Sequence, residues 1–461
     1  MTVRRARSSP SGAALLVAIA AIAVLTSLAV DLAYQTQVRL RTAANARDEL
    51  RASAQAHSAV TFSRLVLSFQ AQIDQAMAVG QSLAAAAGGA QGGAATPAAA
   101  LPRPQLWSLV QVDSALAHAL FGEPEGEAPA PAMVRAASAA AAPAAEEGAP
   151  APAAAPAAGP PRDADGGFEA RIEDEGQKIN AQLDALGTSG LLGPQVEELL
   201  RLFCDARWDP LFDRTDADGQ RTSRTDLLVN LKDWVDEDAT GSVLTASFPG
   251  GNCAFVVPPN PFENGFSDEN YPYDRGPDRY KTKNARMDSL AELYLVAGIG
   301  DAFMAAFQDQ LTVYLPNAAA LNVNSDDPRQ QLLIASAMAD QSAAAQASLL
   351  DPRFREAFHK ALLAVRMGGL LAITPAQFQQ LLSGLGVKIR SDQNLSSPKS
   401  PFTDRSVVFR IRARGASGDV THETEAVVSF DPRLAVATDQ AAPAATTSST
   451  PFGRLIHWRE E

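Results

Sequence analysis

The strongest pattern along the chain is an apolar run near its N-terminus. Between Ala13 and Val30 there is no charge and no strongly polar group apart from Thr26 and Ser27. At a rise of about 1.5 Å per residue, these roughly 18 residues form a helix of about 27 Å, which is close to the thickness of a bilayer core. The pattern therefore predicts a helix just long enough to span a membrane.

A short basic leader precedes this run and contains Arg4, Arg5 and Arg7. By the positive-inside rule such a leader stays in the cytoplasm, so residues 31–461 are expected on the other side of the membrane. Three processing routes remain open. Signal peptidase would act after the run, where Leu32, Ala33 and Tyr34 offer few small residues. A cut between Gly12 and Ala13 resembles prepilin peptidase processing, and an uncleaved signal anchor is the third route.

The apolar helix is predicted to continue well beyond the membrane. Residues 31–78 contain no proline or glycine, and apolar positions such as Val38, Val60 and Leu67 alternate with charged ones. A long helix that is apolar at first and amphipathic later is typical of the spine of a pilin. We assign residues 1–12 to the leader and residues 13–83 to this spine.

Pilins ordinarily carry glutamate at the fifth position of the mature chain, where it neutralises the terminal amine of a neighbouring subunit. If the mature chain begins at Ala13, the fifth position is Val17. An amine buried in hydrocarbon without a carboxylate is costly. A subunit with Val17 is therefore poorly suited to join a filament from below and better suited to its tip.

Low-complexity sequence separates the spine from the rest of the chain. Residues 84–166 are rich in Ala, Pro and Gly and are predicted to be a linker, with a short ordered stretch near residues 106–121. That stretch is either a short amphipathic helix or a strand pressed against the spine. A second linker is predicted over residues 433–452.

The remaining segments predict an α+β fold. Alternating apolar positions indicate strands in 167–183, a hairpin in 396–432 and an edge strand in 453–461, while 184–395 has mostly helical periodicity. The pattern thus describes a pilin-like helix with a small antiparallel sheet and an inserted all-helical domain. Within that domain LVAGIGDAF (295–303) and LLSGLGVK (381–388) resemble helix-hairpin-helix turns, although few basic residues flank them. We interpret both as structural turns.

Composition excludes some functions. The 461 residues suffice for two or three domains, and the net charge of −13 argues against nucleic acid as a partner. The five histidines are scattered, none stands in a metal-ligand spacing such as HExxH, and no catalytic motif is present. No enzymatic activity is predicted. Cys204 and Cys253 would meet an oxidising compartment, and the sequence leaves open whether they form a disulfide or remain unpaired.

A cluster of acidic residues is the strongest candidate for a binding site. Asp233, Asp236 and Asp238 lie at the end of a predicted helix, and Glu269 lies in a later loop. Carboxylates crowded at a helix C-terminus repel one another and the helix dipole, and a calcium ion would relieve this repulsion. The alternative is a solvated acidic loop. The run DRTDADGQ (213–220) has an EF-hand-like start but lacks the required first ligand and final glutamate, so we interpret it as a turn.

Three segments together resemble one known family. They are LKDWVDEDATG (231–241), SDENYPYDRGPDRYKTKNARMDSLAELYLVAGIGDAF (267–303) and LTVYLPNAAALNVNSDDPRQQLL (311–333). In this order they look like the large minor pseudopilin of type II secretion systems, the general secretion pathway protein K (GspK) family. The resemblance covers residues 4–80 and about 168–430.

The resemblance implies a calcium-binding pseudopilin in the bacterial inner membrane, with its C-terminal bulk in the periplasm. It also implies partners, namely the I- and J-type minor pseudopilins, the major pseudopilin, prepilin peptidase and the secretion assembly platform. Two other functions remain as alternatives. One is a single-span periplasmic scaffold or binding protein with an uncleaved anchor, and the weaker one is a helix-hairpin-helix nucleic-acid binder used in DNA uptake.

Overall fold

The computed structural model describes most of the chain outside the low-complexity segments. The described residues are 11–88, 103–122, 166–183, 192–212, 221–249, 251–274, 279–315, 321–340, 342, 345, 348, 349, 351–391, 395, 400–430 and 451–461. The leader up to residue 10, most of both predicted linkers and the 213–220 turn lie outside them.

The described helices and strands alternate irregularly after one very long helix. The helices are α1 (Ser11–Gly88), α2 (Leu106–Leu109), α3 (Ser114–Phe121), α4 (Leu192–Phe203), α5 (Asp209–Phe212), α6 (Arg224–Val235), α7 (Asp301–Phe307), α8 (Pro328–Met338), α9 (Pro352–Val365) and α10 (Pro375–Gly384). The strands are β1 (Arg103–Pro104), β2 (Val112–Asp113), β3 (Gly167–Asp174), β4 (Ile179–Asn180), β5 (Thr240–Leu244), β6 (Phe262–Asp268), β7 (Leu311–Thr312), β8 (Leu321–Asn322), β9 (Leu371–Ala372), β10 (Phe402–Thr403), β11 (Val408–Ser417), β12 (Val420–Ser429) and β13 (Arg454–Glu460).

Helix α1 has 78 residues and is therefore about 117 Å long. Its first part exposes large apolar side chains such as Leu15, Leu25 and Leu32, whereas from Ala52 onward buried positions recur on one face of the helix. Roughly its first 40 residues thus extend about 60 Å beyond the other described residues. By length and composition α1 is a candidate membrane span, with a mean hydropathy of 2.5 in its most apolar window, none of which is buried.

The second half of α1 packs on one face of a five-stranded antiparallel sheet with the order β13-β12-β11-β3-β2. Alternate residues of β11 and β12, including Ile411 and Ala426, face Ala59 and Val60 of the helix in a common apolar core. Strand β3 precedes the inserted region and β11 follows it. The α+β prediction, with a long helix on a small antiparallel sheet, is confirmed.

Small residues allow the helix and the sheet to approach closely. Gly415 lies inside β11, opposite Ala52 and Ala56 of α1. A Cβ added at Gly415 would lie 1.9 Å from the carbonyl oxygen of Ala52 and 2.7 Å from the amide nitrogen of Ala56. The sequence predicts the hairpin turn over residues 415–418; β11 continues to Ser417, and the turn lies at the end of that range, at Gly418, where φ is +57°.

Replacing Gly415 with alanine is expected to lower the free energy of unfolding by about 1–3 kcal/mol, because the new methyl group would meet helix backbone rather than a movable side chain. Urea unfolding of the full-length protein in detergent measures this change. Gly384→Ala is the matched control, because Gly384 ends α10 with nothing within 4 Å of an added Cβ. Equal stability of the Gly415→Ala variant and the wild-type protein would contradict this close packing.

The inserted region covers part of the opposite face of the sheet. Val408 and Val427 belong to a large core that also contains Phe203, Leu231 and Phe307. The region is not purely helical, since β5 and β6 form an antiparallel ribbon and β4-β7 and β8-β10 are short parallel pairs. The sheet thus lies between the spine helix and the inserted region. The described residues of this region, within 184–395, form the head of the protein.

The predicted ordered stretch combines a helix and a strand. Residues 103–122 contain α2, β2 and α3, and β2 adds the edge strand beside β3. Val112 is buried, and Phe121 contacts Phe62 of α1 with ring centroids 5.9 Å apart. This stretch therefore extends both the sheet and the cover of the spine helix.

Helix α4 buries an acidic side chain in the head. Burial, together with the charge of Glu197, raises the pKa of Glu198 to about 8. In the unfolded chain this carboxyl group would titrate near 4.5. Because its pKa is raised on folding, the stability that the protonated form contributes is present below pH 4.5 and is lost as the pH rises through 8.

We expect Glu198→Gln to match the wild-type free energy of unfolding near pH 4.5 and to exceed it by roughly 2–4 kcal/mol at pH 8. Unfolding in urea at the two pH values measures the difference. The same substitution at the exposed Glu356 serves as a control and should leave the pH dependence unchanged. Parallel pH profiles for Glu198→Gln and wild type would exclude a buried, protonated Glu198.

Candidate functional site

The acidic cluster lies where α6 meets the β5-β6 ribbon. Helix α6 begins at a capping box formed by Ser223 and Asp226. Its last turn delivers Asp233 and Asp236, and the amide of Ser242 on β5 donates to Asp233 Oδ1 at 2.9 Å. Thr240 of β5 pairs with Asp268 of β6, which brings the following residue, Glu269, to the same end of the ribbon.

Three of the four predicted metal ligands are buried side by side. Asp233, Asp236 and Glu269 are each almost fully buried, and Glu269 Oε1 accepts a 2.7 Å hydrogen bond from the Thr282 hydroxyl. Lys232, also buried, forms an ion pair with Asp236. The cluster thus holds three carboxylates and one ammonium group, and when all are ionised its net charge is −2, which a divalent cation would balance.

The fourth predicted ligand has a different role. Asp238 is exposed, and its carboxylate accepts a 2.7 Å hydrogen bond from the Thr240 amide. Its backbone carbonyl accepts a bond of the same length from Asn284 Nδ2. The Asp238 side chain therefore closes the turn between α6 and β5.

Asn284 belongs to the site although sequence reasoning did not select it. Its φ of 50° is in the left-handed region, which asparagine tolerates better than most residues, and its amide donates to the Trp234 carbonyl at 3.1 Å. This conformation holds Asn284 against the end of α6. The only sequence signal was an asparagine within KTKNARM, a weak sign of a left-handed turn.

Unsatisfied oxygens give the clearest test of whether calcium fits. Among the described residues, Asp236 Oδ1, Glu269 Oε2 and Asn284 Oδ1 are buried oxygens without a hydrogen-bond partner. Buried polar atoms are ordinarily satisfied, and carboxylate and amide oxygens are the ligands that calcium prefers. No three of the acidic side chains bring oxygens within 4.8 Å of one another in the described part of the chain. The chemistry of these carboxylate and amide oxygens nevertheless suits a hard divalent cation.

The pKa values of two of these carboxyl groups also show that their ionised forms are disfavoured. Burial raises the pKa of Asp233, and the charge of Asp236 adds to the increase. Burial likewise raises the pKa of Glu269, to which both Asp236 and Asp233 contribute. The cluster is therefore a place where the chain holds carboxylates away from water.

The remaining sequence-selected residues lie away from this cluster. A disulfide joins Cys204, just after α4, to Cys253, and their Cα atoms are 4.8 Å apart. Gly12 and Ala13 belong to the first turn of α1, and the side chain of Val17 is 69% exposed. Gly298 and Gly386 of the two Gly-x-Gly motifs have φ values of +92° and +84° and form turns next to helices.

Comparison with known proteins gives limited information. No family model matches the chain, and no curated protein matches it. Among solved structures, the chain is similar to one in the GspK–GspI–GspJ complex of the type II secretion system from enterotoxigenic Escherichia coli. The two are 12% identical, the alignment covers 67% of this chain and 84% of that chain, and the TM-score is 0.35. Similarity at this level does not determine the function, which is inferred below from the residues themselves.

Proposed function

We propose that the chain is a minor pseudopilin at the tip of a type II secretion pseudopilus, where it initiates assembly and supports export of folded proteins across the outer membrane. The observation that carries this proposal is the two-part character of α1. Its first part, up to Val30, is apolar and exposed, and one face of its later part packs against the sheet, with no break in the helix between them. One rigid helix thus connects a membrane segment to a head, as a filament subunit requires.

The exposed half of α1 supports an assembly role beyond simple anchoring. It is about 60 Å long, roughly twice the thickness of a bilayer core. A single anchor would need only part of that length. The remainder, which includes Val38 and Leu40, offers apolar surface for the helices of partner subunits, proposed here as the I- and J-type minor pseudopilins.

Val17 supports a place at the tip. Processing after Gly12 by prepilin peptidase would create a terminal amine at Ala13, and Val17 offers no carboxylate to the amine of another subunit. Entry beneath an existing subunit would therefore bury a charge without its partner. The subunit that begins the fibre at the assembly platform avoids this cost, and major pseudopilins are then added below it.

The position and size of the head also support a place at the tip of the fibre. Its inserted region packs on the sheet face opposite α1, so the bulk lies on the outer side of the spine. A head of this size is readily accommodated at the end of a fibre, whereas in a shaft it would collide with neighbouring heads. The protein then acts through its shape, in the periplasm and anchored in the inner membrane.

Calcium would stabilise the head. Asp233, Asp236, Glu269 and Asn284 are the residues proposed to hold it, and Lys232 balances part of their charge. The ion supplies positive charge that removes the repulsion within the cluster. These residues lie on α6, at the end of the ribbon and at Asn284, so an ion bound by all of them would hold these parts of the head together.

Mass spectrometry of the mature N-terminus tests the proposed function. The full-length protein, isolated from the membranes of its own host, should begin at Ala13 and carry an N-methyl group. Substituting Gly12 should leave the leader in place. A wild-type chain that begins at an intact Met1 would overturn the proposal and favour a scaffold or binding protein with an uncleaved anchor.

A further inference from the structure

Two histidines and a glutamate meet where α1 crosses the end of the sheet. His57 comes from α1, His422 from β12 and Glu460 from β13. One potential ligand atom from each residue lies within 4.8 Å of the others. This is the only such group of three His, Cys, Asp or Glu side chains among the described residues.

The strand pairing explains why these side chains converge. Thr424 of β12 is opposite Glu460 of β13, so His422, two residues before Thr424, points to the same face as Glu460. That face is the one covered by α1, as the burial of Ala426 against the helix shows. His57 then approaches from above, at the edge of the buried part of the helix.

The contacts within the group are those of an incomplete metal site. His57 Nε2 lies 2.8 Å from Glu460 Oε1, and His422 Nε2 lies 3.9 Å from Glu460 Oε2. The two imidazole rings are nearly perpendicular, with centroids 6.4 Å apart. The indole Nε1 of Trp458 donates to Glu460 Oε1 at 2.8 Å and orients the carboxylate.

One atom of the group lacks a partner. His422 Nε2 is buried and, within the described part of the chain, has no hydrogen bond. A buried ring nitrogen of this kind normally finds a donor, an acceptor or a metal. The side chains of His57 and Glu460 remain 45% and 42% exposed, so an ion can reach this nitrogen from solvent.

We propose that His57, His422 and Glu460 bind a transition-metal ion of the zinc class, with water at the remaining position. Two neutral imidazoles and a carboxylate suit zinc, whereas the all-oxygen cluster near Glu269 suits a hard cation. The metal takes the place of the proton shared between His57 and Glu460. The metal joins α1 to β12 and β13 and so holds the spine helix in a fixed orientation on the sheet.

Metal titration of the full-length protein tests this site. The protein, purified in detergent without a histidine tag and stripped of metal, is titrated with Zn²⁺ by calorimetry and with Co²⁺ by visible absorption. We expect one saturable Zn²⁺ equivalent and the spectrum of tetrahedral Co²⁺ with nitrogen and oxygen ligands. His422→Gln should weaken binding by more than the roughly 10- to 100-fold that loss of an outer-shell partner costs.

Matched variants separate a lost ligand from a damaged fold. His57→Gln alters an exposed side chain and should weaken Zn²⁺ binding while preserving the circular dichroism spectrum of the metal-free protein. His359→Gln, at a histidine 3.5 Å from Gln331 in the inserted region, should bind Zn²⁺ like the wild type. Wild-type affinity in both His57→Gln and His422→Gln, or no saturable binding to the wild-type protein, would overturn the site.

Discussion

Replacing Glu175 with glutamine is expected to lower the free energy of unfolding by about 3–5 kcal/mol, because it breaks a fully buried ion pair between the end of β3 and β11. Glu175 follows β3, and its Oε1 accepts a 2.8 Å hydrogen bond from Arg410 Nε on β11. Lys178 lies 2.7 Å from the same oxygen, and the Thr312 hydroxyl of the inserted region donates to Oε2. The substitution would leave Lys178 and Arg410 only longer contacts, 3.6 Å to Glu173 and 3.5 Å to Glu425.

The pH dependence of this effect has a definite sign. Burial alone would raise the pKa of Glu175, but Lys178 and Arg410 outweigh it, so the pKa lies below its usual value of 4.5. A depressed carboxyl pKa contributes stability above the unfolded-state pKa and loses it as the pH falls through the folded-state pKa. The difference between wild type and Glu175→Gln should thus be complete at neutral pH and shrink below pH 4.5.

Urea unfolding followed by tryptophan fluorescence measures this difference. Glu169→Gln is the matched control, because Glu169 lies in β3, is exposed and makes only a 3.9 Å contact with Arg414, so the substitution should change stability by less than about 1 kcal/mol. Adding Arg410→Met to Glu175→Gln should recover part of the loss, since it removes a buried charge that has lost its closest partner. A loss below about 1 kcal/mol in Glu175→Gln would show that the ion pair does not stabilise the fold.

The second large effect is expected from calcium, following the proposed site. At a calcium concentration 100-fold above the dissociation constant, a single site stabilises the folded protein by about 2.7 kcal/mol. Thermal unfolding of the full-length protein with calcium and with a chelator measures this gain. Asp236→Asn and Glu269→Gln should lose it, whereas Asp274→Asn, at an exposed residue of the same loop, should keep it.

The sign of the Glu269→Gln effect should depend on calcium. Without the ion, the variant removes one buried charge from a repelling cluster and should be at least as stable as the wild type. With the ion present, the variant lacks a ligand and should be less stable. A variant that is destabilised equally in calcium and in chelator would contradict calcium binding and leave Glu269 with a structural role.

The spine and the sheet were predictable because their patterns are local. The absence of proline and glycine from residues 31–78 leaves the helix uninterrupted, and alternation around Ile411 and Val428 marks strands with one face under that helix. Gly415 was assigned to the turn instead of the strand. Its purpose appears only when the backbone of Ala52 lies beside it.

The sites were less predictable because they depend on distant residues. Asp233, Asp236 and Glu269 could be selected from their charge. Asn284 joins them through a left-handed backbone conformation, which the residues around it in the sequence do not predict. His57 and Glu460 are 403 positions apart, and no spacing rule connects them with His422. The histidines are scattered along the sequence. His57 and His422 come together only because β12 pairs with β13 in a sheet that packs on α1.

Labelling of assembled pseudopili tests the central claim most directly. In cells that overproduce the major pseudopilin, gold-labelled antibodies against the head are applied to sheared fibres and viewed by electron microscopy. The lack of a carboxylate at Val17 and the bulky head predict one cluster of label at one end of each fibre. Label spaced along the shafts would contradict the account, because subunits in those positions must have entered beneath others.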